Sequence, residues 1–393
     1  MQKLEIIKNR NDNIEILRAV AILLVLSIHM GLVLPFPSSL YTRLIQIFDG
    51  SVGVDLFFVI SGYVITRSLV YASKNSSGNK ISVVSAFWLK RIFRLLPTSI
   101  LWLFIIIFYM WAVGLLCEGN DFRIEKLIPI FAACANVFNV YNAYCVANPG
   151  DSFWCNAYLF YGHYWSLSLE QQFYIVFPMV FSLFSKRFLR VLMIAVIALS
   201  LFWSRPYWSY GWFLRIDGFC WGILLGLIPI MTLRIPLVDK LLKNNLIIQT
   251  LSVGLIVSLP FLSRHLQGFG ASATMYGIGV LAMISAILVF LAVRYENSLG
   301  TQPHFKKLML YIGSRSYSIY IIHLIMFEII KHFWAIGFGE MKFTPVEMQL
   351  TNIGIVILAL TITFVLSEMN YQFVEQHFRV KGKHLAQTIL SRG

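Results

Sequence analysis

Charged side chains are scarce in this sequence. Only 13% of its 393 residues are Asp, Glu, Lys or Arg, about half the ~25% of an ordinary soluble domain. Such a chain cannot cover the surface of one or two soluble domains, which excludes a soluble enzyme, a disordered protein and a coiled coil. Acidic residues are scarcer than basic ones, 18 against 32, leaving a net charge of +14. A soluble protein with that surplus would point to nucleic acid. A membrane protein carries it in its cytoplasmic loops, so the positions of the basic residues decide. The five cysteines include no CxxC, and there is no HExxH, so no metal site is expected. No internal repeat is visible.

What the chain has instead is hydrophobic runs, with 58% of residues apolar. A membrane-crossing helix needs about 20 mostly apolar residues. Ten segments qualify: 15–34, 53–72, 95–115, 169–185, 189–204, 209–230, 246–263, 272–293, 310–332 and 350–371. The expected fold is therefore all-α, a polytopic integral membrane helix bundle of about ten transmembrane helices, forming one domain over 1–393. No small-residue cleavage site follows the first run, so an uncleaved signal-anchor is expected there. With both termini cytoplasmic, 24 of the 32 basic residues fall on the inner side. The eight outside are Arg43, Arg123, Lys126, Arg205, Arg215, Arg264, Lys331 and Lys342. This asymmetry accounts for most of the +14 and removes nucleic acid as a partner. The stretch 127–140 is apolar but short, and reads as an interfacial or re-entrant piece. If it spanned, every later loop would flip and Lys186, Arg187 and Arg190 would lie outside, against the charge rule. The segment 117–168 is the one long external loop. It holds or adjoins Cys117, Cys134, Cys145 and Cys155. Pairing of Cys145 with Cys155 and free buried thiols are equally compatible with the spacing.

Ionisable groups inside spans are costly and point to function. In the first span Arg18 and His29 are eleven residues apart, hence on one helix face about 16 Å apart. A snorkelling interface anchor explains Arg18 equally well. Asp55 begins the second span at a depth close to His29, where a carboxylate would fix the tautomer of the imidazole and stabilise its charged form. A helix-dipole role for Asp55 is the alternative. Gly53 and Gly62 allow close helix approach. The sequence GHYWSLSLEQQFY places His163, Trp165, Ser166 and Glu170 at the external mouth of the fourth span. Arg215 and Asp217 enter the sixth span, and His323 sits in the ninth. Together they point to a polar cavity opening outward. At the inner face, FWLKRIFRLLP carries Lys90, Arg91 and Arg94. These form either a basic turn lying on anionic lipid or a clamp gripping phosphate oxygens with bidentate hydrogen bonds.

In this order the blocks resemble the acyltransferase 3 family of integral membrane acyltransferases over nearly the whole chain. Arg18-x10-His29, VGVDLFFVISGYVIT, the R-x-x-R of Arg91 and Arg94, HYWSLSLEQQFY, SYSIYIIHLIMF and YQFVEQHFR with Glu375 each match a family block. Many relatives have a second Glu where this chain has Gln171. The resemblance implies acetyl or other short-acyl transfer from cytoplasmic acetyl-CoA to a hydroxyl of a cell-surface glycan (O-antigen, exopolysaccharide or capsule), in a bacterial cytoplasmic (inner) membrane and with no permanently bound cofactor. Some members carry an extracytoplasmic hydrolase-like domain. With about twenty residues after the last expected span, none is expected here.

The residue chemistry fits that activity. Arg18, Arg91 and Arg94 would bind acyl-CoA. His29 would act as base or as acyl-accepting nucleophile, with Asp55 and Glu170 as its catalytic companions. Trp165, Ser166 and His323 would hold the acceptor. The rivals are a flippase for a lipid-linked sugar, which fits ten spans but favours repeats and broken helices, and a polyprenyl-dependent glycosyltransferase using Asp121, Glu125 or Asp151.

Overall fold

The computed structural model describes residues 11–75, 79–118, 121–151, 153–155, 161–206, 209–231, 233, 236, 239, 242, 244–267, 276–296, 298–300, 302–339 and 341–392. The basic residues Lys3, Lys8, Arg10, Arg234, Lys240 and Lys243, and positions 272–275 of the eighth expected span, lie outside the described residues.

The chain is almost wholly helical. Its helices are α1 (Asp12–Val33), α2 (Ser39–Ile47), α3 (Val52–Asn75), α4 (Lys80–Ala112), α5 (Ile128–Cys134), α6 (Phe138–Ala147), α7 (Tyr164–Leu183), α8 (Lys186–Leu201), α9 (Asp217–Leu227), α10 (Asn245–Gln267), α11 (Gly277–Arg294), α12 (Pro303–Phe338), α13 (Pro345–Asn370) and α14 (Gln376–Arg392). Among the described residues the one sheet is a two-residue antiparallel pair, β1 (Cys117–Glu118) and β2 (Asp121–Phe122).

Helix starts are set by local chemistry. Asn11 accepts from the amides of Asn13 and Ile14, and Asn79 and Ser185 cap α4 and α8 in the same way. Thr344 and Glu347 form a reciprocal capping box at α13. Asn13 also caps the C-terminal end of α11. Its side-chain nitrogen is 3.0 Å from the carbonyls of Ala292, Tyr295 and Glu296, the exposed end of α11.

Seven helices are long and apolar enough to cross a membrane, among the described residues. They are α1, α3, α4, α10, α11, α12 and the α13–α14 rod, matching expected spans one to three and seven to ten. Apolar side chains such as Phe104, Phe108 and Trp111 face outward, whereas Asp55, Arg215 and Glu375 are buried. That is the inversion expected of a helical membrane bundle.

The other three expected spans differ in form. The fourth is α7, which begins earlier, at Tyr164. The fifth is the 16-residue α8. The sixth is broken into a 3₁₀ turn (Tyr210–Leu214) and the 11-residue α9, with Arg215 and Ile216 in the break. Eleven residues rise only about 16 Å. Irregular backbone at this depth is tolerated where protein surrounds it. The segment 127–140 forms two short helices separated by Asn136, whose φ is +56°. Neither is long enough to span, as expected for an interfacial piece.

The third expected span starts fifteen residues early. FWLKRIFRLLP is not a separate basic turn but part of the continuous 33-residue α4, which carries on through Pro97. Arg91 and Arg94 are therefore held rigidly by a helix that also crosses the core.

Two close helix contacts fix the centre. Gly218, Gly222 and Gly226 recur every four residues on α9 and lie against α3. A Cβ at Gly222 would stand 2.2 Å from the Val59 carbonyl oxygen, and one at Gly62 would stand 2.5 Å from that of Phe219. Small residues at this spacing let backbones approach closely. On α12, a Cβ at Gly313 would stand 1.9 Å from the Glu15 carbonyl oxygen of α1. These contacts set the places of Asp55, Asp217 and His323 in the bundle.

Candidate active site

A cavity lies between α1, α3, α4, α7 and α12. Three guanidiniums line it: Arg18 from α1, and Arg91 and Arg94 from α4. Arg91 is held over the rings of Phe87 (5.4 Å) and Tyr174 (5.1 Å), an arrangement that immobilises the cation against aromatic faces. Arg18 reaches Glu15 at 3.2 Å. The Nε of Arg94 is buried without a hydrogen-bond partner.

Glu170 lies in this cavity with the arginines, where Ser61 and Tyr174 both donate to its carboxylate. The sequence places it at the external mouth, as a catalytic companion of His29. One turn of α7 beyond Ser166 turns it inward, so the structure joins it to the arginine set instead. Behind the arginines, Ser318 donates to Glu375 at 3.1 Å and Asn370 donates to Ser318 at 2.8 Å. Glu375 closes a π-helical turn, Tyr371–Glu375, a local widening that recurs at functional sites.

The other end of the cavity is closed by Ser166 and Tyr320, whose oxygens are 2.5 Å apart. Ser166 donates to the His163 carbonyl, so the tyrosine supplies the proton of that short bond. Beyond it stand three histidines, His29 on α1, His323 on α12 and His163 at the N-cap of α7. His29 Nδ1 is 3.1 Å from His323 Nε2. The rings of His163 and His323 are 5.4 Å apart, and each lies within 5.7 Å of the Tyr320 ring. His163 and His323 are buried, while His29 is partly exposed. Neither ring nitrogen of His163 makes a hydrogen bond of normal geometry. Among the described residues no group of three ligating side chains is placed to hold a metal ion.

Asp55 does not partner His29. Its carboxylate is 3.4 Å from Arg215, a fully buried cation sandwiched at 4.3 Å from the Trp212 ring and 5.1 Å from Trp165. The reason is the glycine ridge of α9, which brings the break at Arg215 against the start of α3. The network continues. Gln267 accepts from Arg215 (3.2 Å) and Trp212 (2.9 Å) and donates to Ser263, which donates to Asp49. Arg205 grips Asp217 with two bonds of 2.6 and 2.7 Å. Three carboxylates and two guanidiniums are thus buried together. Such a cluster is tolerable because Asp55 and Asp217 are paired with guanidiniums and Asp49 accepts hydrogen bonds from Ser51 and Ser263.

Trp165, Ser166 and His323 were expected to hold an acceptor. In the structure Trp165 flanks Arg215, Ser166 bonds Tyr320 and His323 bonds His29, and all three are buried. Missing from the sequence reading were Gln267, Asp49 and the Arg205–Asp217 pair, and His163 was noted there without a role. The sequence signals for the α3–α9 contact are Gly62 on α3 and Gly218-x3-Gly222-x3-Gly226 on α9. In the segment 117–168, Cys145 and Cys155 form a disulfide with Cα atoms 5.3 Å apart, while Cys117 and Cys134 are free. Asp151 accepts from Tyr144 and from the Trp154 amide, so it serves the loop.

No solved structure matches the chain. Among curated proteins it is similar to the O-acetyltransferase OatA of Staphylococcus aureus strain NCTC 8325 and to that of strain COL. Each is 27% identical over 350 residues, covering 85% of this chain and 53% of the relative. The chain thus spans about half the length of the curated relatives it matches. The acyltransferase 3 family, described as an acyltransferase domain, matches residues 11–368, nearly the whole bundle and every wall of the arginine cavity, and the chain belongs to that family.

Proposed function

We propose that this protein is a multi-pass O-acyltransferase of a bacterial cytoplasmic membrane, moving an acetyl or other short acyl group from cytoplasmic acyl-CoA to a hydroxyl of a cell-surface glycan. The observation that carries the reading is one cavity with Arg18, Arg91 and Arg94 along its wall and Tyr320 at its end, next to the histidine cluster that contains His29. Guanidiniums are suited to the phosphates of coenzyme A. Its long pantetheine arm would thread from them toward Tyr320 and bring the thioester to His29. Ten crossings with both termini cytoplasmic put the arginines inside and His29 in the outer half, as transfer across the membrane requires.

In the chemical step, neutral His29 takes the proton of the acceptor hydroxyl as that oxygen attacks the thioester carbonyl. The tetrahedral intermediate collapses with loss of the CoA thiolate, and the imidazolium returns the proton to sulfur. The products are an ester and free CoA, with a proton-neutral balance. General base catalysis of this kind contributes typically about 10²–10⁴-fold.

The test is Arg91→Ala with Arg94→Ala in membranes supplied with labelled acetyl-CoA. The acetyl-CoA KM should rise at least about tenfold, the equivalent of ~1.4 kcal/mol of lost donor binding, at unchanged protein level. A change in protein level or topology alone would make the arginines a lipid anchor. Transport of a lipid-linked sugar without acylation would replace the whole reading.

A further inference from the structure

We infer that His323, not a carboxylate, is the positioning residue of the site: it holds His29 in the Nδ1–H tautomer and leaves Nε2 as the free base. The inference rests on the proposal that His29 does the chemistry, and deepens it.

The tautomers follow from the acceptors present. His323 Nδ1 lies 2.7 Å from the Tyr320 carbonyl oxygen and 3.2 Å from that of Ile319. Carbonyl oxygens only accept, so this nitrogen carries a proton. The ring is fully buried. The titratable groups facing it are His29 from α1, His163 at the N-cap of α7 and Tyr320 from its own helix, none of them an anion. A second proton would leave a buried charge without a counter-charge, so the ring is neutral and its Nε2 bears a lone pair. That lone pair is 3.1 Å from His29 Nδ1. Two lone pairs cannot make this bond, so His29 donates from Nδ1, and a neutral imidazole that donates from Nδ1 is unprotonated at Nε2.

The arrangement differs in consequence from a carboxylate dyad. When His29 takes a proton, its bond to His323 becomes charge-assisted and strengthens. The proton has no onward route, because His323 Nδ1–H ends on a backbone carbonyl. His29 must therefore hand it back to the leaving thiolate, which is what ester formation from a thioester needs.

The experiment uses the detergent-purified full chain and four forms: wild type, His29→Ala, His323→Leu and His323→Gln. A glutamine at 323 offers Oε1 near the position of Nε2 and restores the acceptor. Two readouts are taken. One is kcat and KM for transfer from labelled acetyl-CoA to glycan extracted from the source membranes. The other is the rate of carbethoxylation of His29 by diethyl pyrocarbonate, read by mass spectrometry against the exposed His304 and His384. His323→Leu should lower kcat by about 10²-fold at unchanged acetyl-CoA KM and slow carbethoxylation at His29 alone. His323→Gln should recover most of both. Wild-type kcat and labelling in His323→Leu, or a His323→Gln variant no better than His323→Leu, would overturn the inference. Activity surviving in His29→Ala would instead overturn the functional proposal, and the labelling rates would still decide the tautomer.

Discussion

The burial of Asp55 against Arg215 makes a quantitative prediction. The pair is 3.4 Å apart with both side chains at most 2% exposed. At an effective dielectric of ~20 the Coulomb attraction is about 5 kcal/mol. Removing one member of a buried pair costs about 3–5 kcal/mol, because the other is left as an uncompensated charge, whereas removing both is often close to neutral. Asp55→Asn and Arg215→Met should therefore each lower the unfolding midpoint of the purified protein sharply. The double variant should be far more stable than the sum of the two losses implies. The guanidinium also fills the space between Trp165 and Trp212, which is why methionine, long and flexible, is the replacement. The assay is a thermal or denaturant transition in one detergent for all four forms, with the coupling taken from the cycle. Additive losses would refute the pairing and return Asp55 to another partner, His29 foremost.

Two further outcomes follow from geometry. Gly222→Leu should abolish recovery of monodisperse protein, since a Cβ alone would lie 2.2 Å from Val59 O and 2.7 Å from Tyr63 N, and backbone cannot rotate away. Gly254→Leu, with nothing within 4 Å, should be tolerated, and equal recovery of the two would refute the close α3–α9 contact. A maleimide reagent applied to the unfolded, unreduced protein should label Cys117, Cys134 and Cys220 but reach Cys145 and Cys155 only after reduction; labelling of all five without reductant would contradict the disulfide.

Much of the architecture is legible in the sequence because lipid imposes one simple rule, that long apolar runs become helices. That rule located α1, α3, α10, α11 and α13 to within a few residues, and it separated the short 127–140 stretch from true spans. It also gave each polar residue a depth, so His29 and Asp55 could be placed at similar heights. It does not give the order of helices around the bundle. Asp55 was matched with His29 on depth alone, whereas the glycines of α9 bring Arg215 to the same height from another side. The same limit hid the Asp49–Ser263 bond, which joins residues more than two hundred positions apart. Glu170 shows a different limit. A starting point a few residues off for α7 shifted its depth enough to move it, on paper, from the arginine cavity to the outer mouth. Hydropathy also missed the continuity of α4 through Pro97, because a basic amphipathic stretch and an apolar one join there without a break.

The most direct test is acetyl transfer by His29→Ala. Membranes carrying wild type or this variant at equal level would receive labelled acetyl-CoA, and alkali-labile label on envelope glycan would be counted. Partly exposed, and paired to the buried His323, His29 is the imidazole placed to take the acceptor proton, so the variant should insert normally and transfer no acetyl above the empty-membrane background. Transfer at the wild-type rate would contradict the assignment of the chemistry to His29.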